Sequence, residues 1–233
     1  MASNLACIGL DVWRRSDFRD MVAVARSEAE TIAKDGEVGV HIWTDVSGAR
    51  LIITTEGDLV RVVTPTFYAA PGAVISEPQA VDGGLVLAEL VNAQDEVITE
   101  IACQLEELAL LGSATPPVEG PVSVVVLGNS VRVTGRADGR ADGRADGAAP
   151  GLAFEPTGAY AVSTDAVAQL TGVVLAVEQR TVSRTGQAFT AARVQTDGFQ
   201  VTLCVPAGDP TLAPGDVVEV QGYVVASIPA LRD

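Results

Sequence analysis

Few residues in this chain have types and spacings that could do chemistry. The only histidine is His41, in VGVHIWTD. A hydrolytic triad would have to use it, yet no GxSxG elbow or comparable nucleophile setting accompanies it. A lone histidine on a strand is expected to serve structure. Cys7, Cys103 and Cys204 are far apart and form no CxxC pair, so they are expected to be buried, reduced thiols. No Walker A, GxGxxG, HExxH or EF-hand pattern is present. Neighbouring acids such as Asp95-Glu96 and Glu106-Glu107 read as solvated turns or faces. No catalytic constellation emerges, and no enzyme activity, metal or cofactor is expected. What remains is recognition chemistry. Around a TDG turn, Phe189, Ala191, Arg193, Gln200 and Thr202 alternate onto one face of two paired segments, and Tyr223 points outward from a later one. A base could stack on Phe189 or Tyr223, and Arg193 could meet a phosphate or a base plane.

The elements that would position these groups follow from periodicity. LACIGLDV (5–12) reads as a strand. Phe18, Met21, Val22, Ala25, Ala29 and Ile32 recur at spacings of three and four, predicting an amphipathic helix from an N-cap at Ser16 to a stop at Gly36. After it the period changes to two. VGVHIWTD, ARLIITTEGD and LVRVVTPTFYA read as successive strands with DVSG and EGD turns, and further strands are expected at 73–81, 85–91 and 96–103. Residues 99–111 would also suit a helix. GSATPPVEGP (112–121) is a connector, and 122–134 is a hairpin or one long strand with a GN kink. The unit RADG then occurs three times, charge-neutral and without core-forming residues, predicting a tolerant surface loop at about 135–151. The reading is mainly β with some α. An acidic α+β domain, 1–164 with a β-α-β-β-β start, precedes a small five-stranded barrel, 165–233.

The last part carries the most specific pattern. Gly172, Arg184-Thr185-Gly186, Phe189, Asp197-Gly198 and Gly215-Asp216 ahead of VVEVQGYV stand in an order that resembles the OB-fold, closest to its tRNA-anticodon type. The resemblance covers about 60 residues and implies a Greek-key barrel that binds single-stranded DNA or RNA. It places Arg180 and Arg184 in the first loop, where such folds grip a ligand. The candidate nucleic-acid-binding set is therefore Arg180, Arg184, Phe189, Arg193, Gln200, Thr202 and Tyr223. The opening order also resembles one module of glyoxalase-type proteins. With one histidine that family's ligand set cannot be assembled, and a metal-free version predicts a pocket containing His41, Trp43 and Tyr68.

Charge tempers the nucleic-acid expectation. The net charge is −15. From Ala166 onward six acids meet four arginines, leaving −2 there and −13 in residues 1–165. Acidic surfaces repel phosphate backbones, so the first 165 residues are poor nucleic-acid partners, and binding by the barrel is expected to be weak. The alternative is a protein-interaction or assembly module whose acidic first domain contacts a protein partner. Hydrophobic residues make up 48% of the chain, enough for a sizeable core. No apolar run reaches the about 18 residues of a membrane span, and MASNLACIGLDVWRR lacks a signal-peptide pattern. A soluble, cytoplasmic protein without membrane partners is expected.

Overall fold

The computed structural model describes residues 2–81, 84–92, 94–137, 152–156, 166–208 and 210–232. The chain is mainly β, with a large mixed sheet. Most of the RADG tract, residues 138–151, lies outside the described residues.

The N-terminal third corrects two expectations. Residues 5–12 are not a strand: Ala6–Ile8 form a 3-10 turn, and Gly9 leaves it at φ 70°. Cys7, Ile8 and Leu10 are fully buried. The apolar run is thus a buried plug. Gly9 must be glycine, because a Cβ there would press on Val182 and Phe189 and the backbone is left-handed. The helix α1 (Arg15–Glu28) begins one residue before the expected cap and stops at Ala29, which is extended. Residues 30–35, expected to continue it, are instead β1 (Glu30–Asp35). Gly36, at φ 56°, turns that strand into β2 (Val38–Thr44). Sheet pairing outweighs helical spacing here. Ile32 and Ala33 pack on Val40, Ile42, Ile52 and Val225, and Thr31 Oγ1 meets His41 Nδ1 across the ladder at 2.9 Å. With β3 (Ala49–Glu56) and β4 (Leu59–Phe67), these strands form an antiparallel meander in the order β1-β2-β3-β4.

The large sheet contains β5 (Ala73–Val81), β6 (Leu85–Val91), β7 (Val97–Leu105), β8 (Glu119–Arg136), β9 (Ala153–Pro156), β10 (Val167–Thr181), β11 (Ala188–Gln195), β12 (Gln200–Pro206) and β13 (Asp216–Ser227). The short helix α2 (Leu108–Leu111) follows β7. Residues 122–134 lie in one long strand. Its expected kink is a bulge, where Ser130 pairs with Gln221 and Gly128 with Gly222, skipping Asn129.

Two long strands, β8 and β13, run antiparallel from Ser123 opposite Ser227 to Arg136 opposite Asp216. Each lends its other edge to two further strands. β8 pairs antiparallel with β5 and then parallel with β12. β13 pairs antiparallel with β10 and then parallel with β7. Because β5-β6-β7 and β10-β11-β12 are each antiparallel meanders, two closed circuits result, β8-β5-β6-β7-β13 and β13-β10-β11-β12-β8. They have the same pairing pattern with β8 and β13 exchanging roles. These pairings cross the boundary expected at 164/165. One continuous core, including Val124, Val126, Leu203, Val218 and Val224, fills both circuits.

A second core fastens the N-terminal elements to this sheet. Cys7, Ile8 and Leu10 from the plug, Met21 and Val22 from α1, and Trp43, Leu51 and Ile53 from the meander pack with Phe189, Ala191 and Cys204. That is the outer face of the β11-β12 hairpin.

Candidate functional site

The β11-β12 ladder has the register the alternation predicts: Arg193 faces Thr202, and Ala191 faces Cys204, on the side away from the circuit's interior. Phe189 shares that side, opposite Pro206. The expectation that this side is exposed is overturned. Phe189 has no solvent exposure and meets Phe67 edge-on, with ring centroids 5.8 Å apart. The meander's last strand carries Phe67 there, so a base cannot stack on Phe189.

The arginines are held internally as well. Residues 68–72, leading from β4 to β5, lie over the hairpin. Arg193 donates to the carbonyls of Ala70 (2.9 Å) and Pro71 (2.7 Å) and to Gln200 Oε1 (2.8 Å). Gln200 N donates to the Gly72 carbonyl, and a Cβ on Gly72 would collide with both the Gln200 carbonyl and the Arg193 guanidinium. Arg193 is therefore a clamp on this connector. Arg180 pairs with Glu178, while Arg184 reaches Glu28 at 2.8 and 2.9 Å. Trp43 Nε1 donates to the same Glu28 carboxylate, and these two partners hold its pKa below the ordinary range. Thr202 is buried, and Tyr223 is half-buried against the Val40–Ile52–Val225 cluster. Three of the seven candidates, Arg180, Arg193 and Thr202, do line one groove of about 350 Å³ together with Glu178 and Tyr68. Glu178 puts an acid beside its cations.

The other candidates resolve into structural roles. His41 is bracketed by Thr31 and by Thr55 Oγ1 at 3.2 Å, and burial, helped by Arg26, pushes its pKa down. Trp43 is buried on the hydrogen bond to Glu28. Tyr68 is 63% exposed, with Arg50 lying 4.8 Å from its ring centroid. The groove lined by Tyr68 contains neither His41 nor Trp43, so the expected three-residue pocket is not formed there. Cys7 and Cys103 are pushed up to about 12 by burial, and Cys204 is raised in the same way. Such thiols are poor nucleophiles. Among the described residues no group of three His, Cys, Asp or Glu side chains could hold a metal ion, and no helix is long and apolar enough to cross a membrane.

Two features escaped the sequence reading. Glu106 and Glu107, expected to be solvated, are buried at 2% and 0% exposure. Arg50 and Arg232 neutralise them. Their cations come from distant parts of the chain, so local sequence carried no signal. The second is Asp45, in the β2-β3 turn. Its carboxylate accepts from Ser47 N at 2.8 Å and from both the backbone and the hydroxyl of Ser183, tying the meander to the β10-β11 loop. Burial opposes ionisation of Asp45, and the hydrogen bonds from Ser183 and Ser47 outweigh it, so its pKa is lowered. A carboxylate with a lowered folded pKa contributes stability that is complete above the unfolded value, about 3.9. That contribution disappears as pH falls through the folded value. Asp45→Ala is expected to cost about 2–3 kcal/mol at neutral pH, and the variant should lose less of its remaining stability below about pH 4 than the parent. Urea titrations across pH measure both.

No protein-family model, curated protein or solved structure matches the chain.

Proposed function

We propose that this chain is a non-catalytic docking module of the cytoplasm that acts through protein contact, built from two OB-like barrels fused along β8 and β13. The barrel likeness is supported by the circuit β10-β11-β12-β8-β13. Four of its strands are those of the sequence resemblance, and β8 supplies the fifth. Such barrels carry protein as well as nucleic-acid ligands, so the ligand must be argued from the surface.

One observation carries the choice of protein contact. The hairpin face that would grip a single strand is occupied by the chain's own N-terminal layer, with Phe189 buried and Arg193 committed to the Ala70 and Pro71 carbonyls. Nonspecific strand binding depends on neutralising several phosphates, and here Arg180 and Arg184 already have carboxylate partners on a protein of net charge −15. A polarisation titration with single-stranded DNA and RNA at about 50 mM salt tests the reading. No binding is expected. Binding that weakens in Arg180→Ala or Arg193→Ala would overturn it.

A further inference from the structure

The basic residues of α1 are sorted onto one side. Arg15, Arg19, Val22 and Arg26 follow one another at spacings of four, three and four, which puts them on one helical face. Asp17, Asp20 and Glu28 fall on the opposite side. The basic face looks into a groove of about 690 Å³ between α1 and the start of β4, with Phe18, Val22 and Val60 as its apolar surface. Arg26 closes one end by donating to the Asp58 carbonyl at 2.7 Å. Arg15 and Arg19 make no hydrogen bond or ion pair with any described residue. Two unpaired guanidiniums over an apolar floor are unusual on a chain of net charge −15.

The other wall carries Val60, at the start of an edge strand. β4 is last in its sheet and, among the described residues, pairs only with β3. Its first half is exposed, with Leu59 at 59% and Val62 at 52%, and Arg61 between them bulges out of the register with β3 and pairs with Glu56. An unpaired strand edge is a template for another strand.

Resting on the protein-contact reading above, the geometry points to this groove as the docking site for an acidic, extended segment of a partner protein, which adds to β4 as a further strand. Charge complementarity selects the occupant. Alternate side chains of a strand stand about 6.7 Å apart, and Arg15 and Arg19 are separated by a rise of about 6 Å, so acids at every second position match them. The intervening residues then face Phe18, Val22 and Val60. Nucleic acid fits less well, because it can use neither the apolar floor nor the backbone edge.

The test uses the whole chain and a labelled short peptide of alternating Glu and Val, with its Lys-for-Glu counterpart as control. The acidic peptide is expected to bind at about 50 mM salt and to slow amide exchange at residues 59–63. Its affinity should fall roughly tenfold in the Arg15→Glu/Arg19→Glu double variant. Both side chains are exposed and unpaired, so the variant's melting temperature should match the parent's. No binding of the acidic peptide, equal binding of the Lys peptide, insensitivity to the double variant, or binding without protection of β4 would each overturn the assignment. So would single-stranded oligonucleotide binding at Arg15 and Arg19. If peptide and oligonucleotide both fail to bind, the groove assignment falls and the protein-contact reading stands. Oligonucleotide binding that depends on Arg180 or Arg193 brings down the protein-contact reading itself.

Discussion

Glu106→Ala is expected to destabilise the fold by about 3–5 kcal/mol, because it strands a buried cation. Arg50 Nη1 donates to Glu106 Oε2 at 2.6 Å, with the two side chains only 7% and 1% exposed. Arg232 reaches the same carboxylate at 2.8 Å and also pairs with Glu107. Glu107 in turn accepts from Ser227 Oγ at 2.8 Å and from Ile228 N at 2.9 Å. This network joins three distant pieces: the start of β3, the end of β7 and the C-terminal 3-10 helix Pro229–Arg232. Burial pushes the Glu106 carboxyl above its ordinary range and neighbouring Glu107 adds to the push, while Arg50 and Arg232 oppose it. With Glu106 gone, Arg50 keeps Thr44 Oγ1 as a partner but loses its counter-charge. For a chain of this size the loss corresponds to a melting temperature lower by roughly 10 °C. Arg50→Met in a Glu106→Leu background should recover much of that loss, since an apolar pair leaves no unpaired charge. Urea denaturation of the single and double variants measures both effects. A Glu106→Ala variant within about 1 kcal/mol of the parent would show that water reaches the site.

Phe189→Ala is expected to cost about 3–5 kcal/mol, the usual penalty for emptying a buried aromatic site. The ring is fully buried between the plug, the meander and β11, and its edge-on contact with Phe67 adds about 0.5–1.5 kcal/mol. The same substitution separates two views of this residue. A core ring makes Phe189→Ala a stability variant with no change in oligonucleotide affinity of the folded protein. A stacking platform would give the reverse: lost affinity at parental stability. Thermal melts combined with the polarisation titration decide between them.

Most of the strands were legible in the sequence, because a period of two is a local property. β2, β3 and β4, and the β10 to β13 series, stand close to where the alternation places them. Local reasoning failed where a segment's state depends on a remote partner. ETIAKD continues the helical spacing of α1 and contains good helix formers, yet it becomes β1 because the β2 edge offers it a full ladder. LACIGLDV has strand composition, yet it forms a plug whose burial against Phe189, Ala191 and Cys204 is set by the distant β11-β12 hairpin. LEELALL shows two acids among leucines, and nothing nearby reveals that Arg50 and Arg232 will meet them.

The hairpin at the TDG turn shows the division most clearly. Alternation alone sorted Phe189, Ala191, Arg193 and Thr202 from Ala192, Val194, Val201 and Leu203, and the ladder register agrees. It could not say which set meets solvent. A period of two separates a strand's faces without ranking them, since burial is set by whatever packs on each face. Here one face closes a circuit with β8 and β13, and the other receives Phe67 and the N-terminal plug. Composition and spacing are written in neighbouring residues, so they establish strands, turns and faces. Exposure is written in contacts between segments far apart in the chain, and those contacts turned an expected binding face into a core and left the α1-β4 groove open.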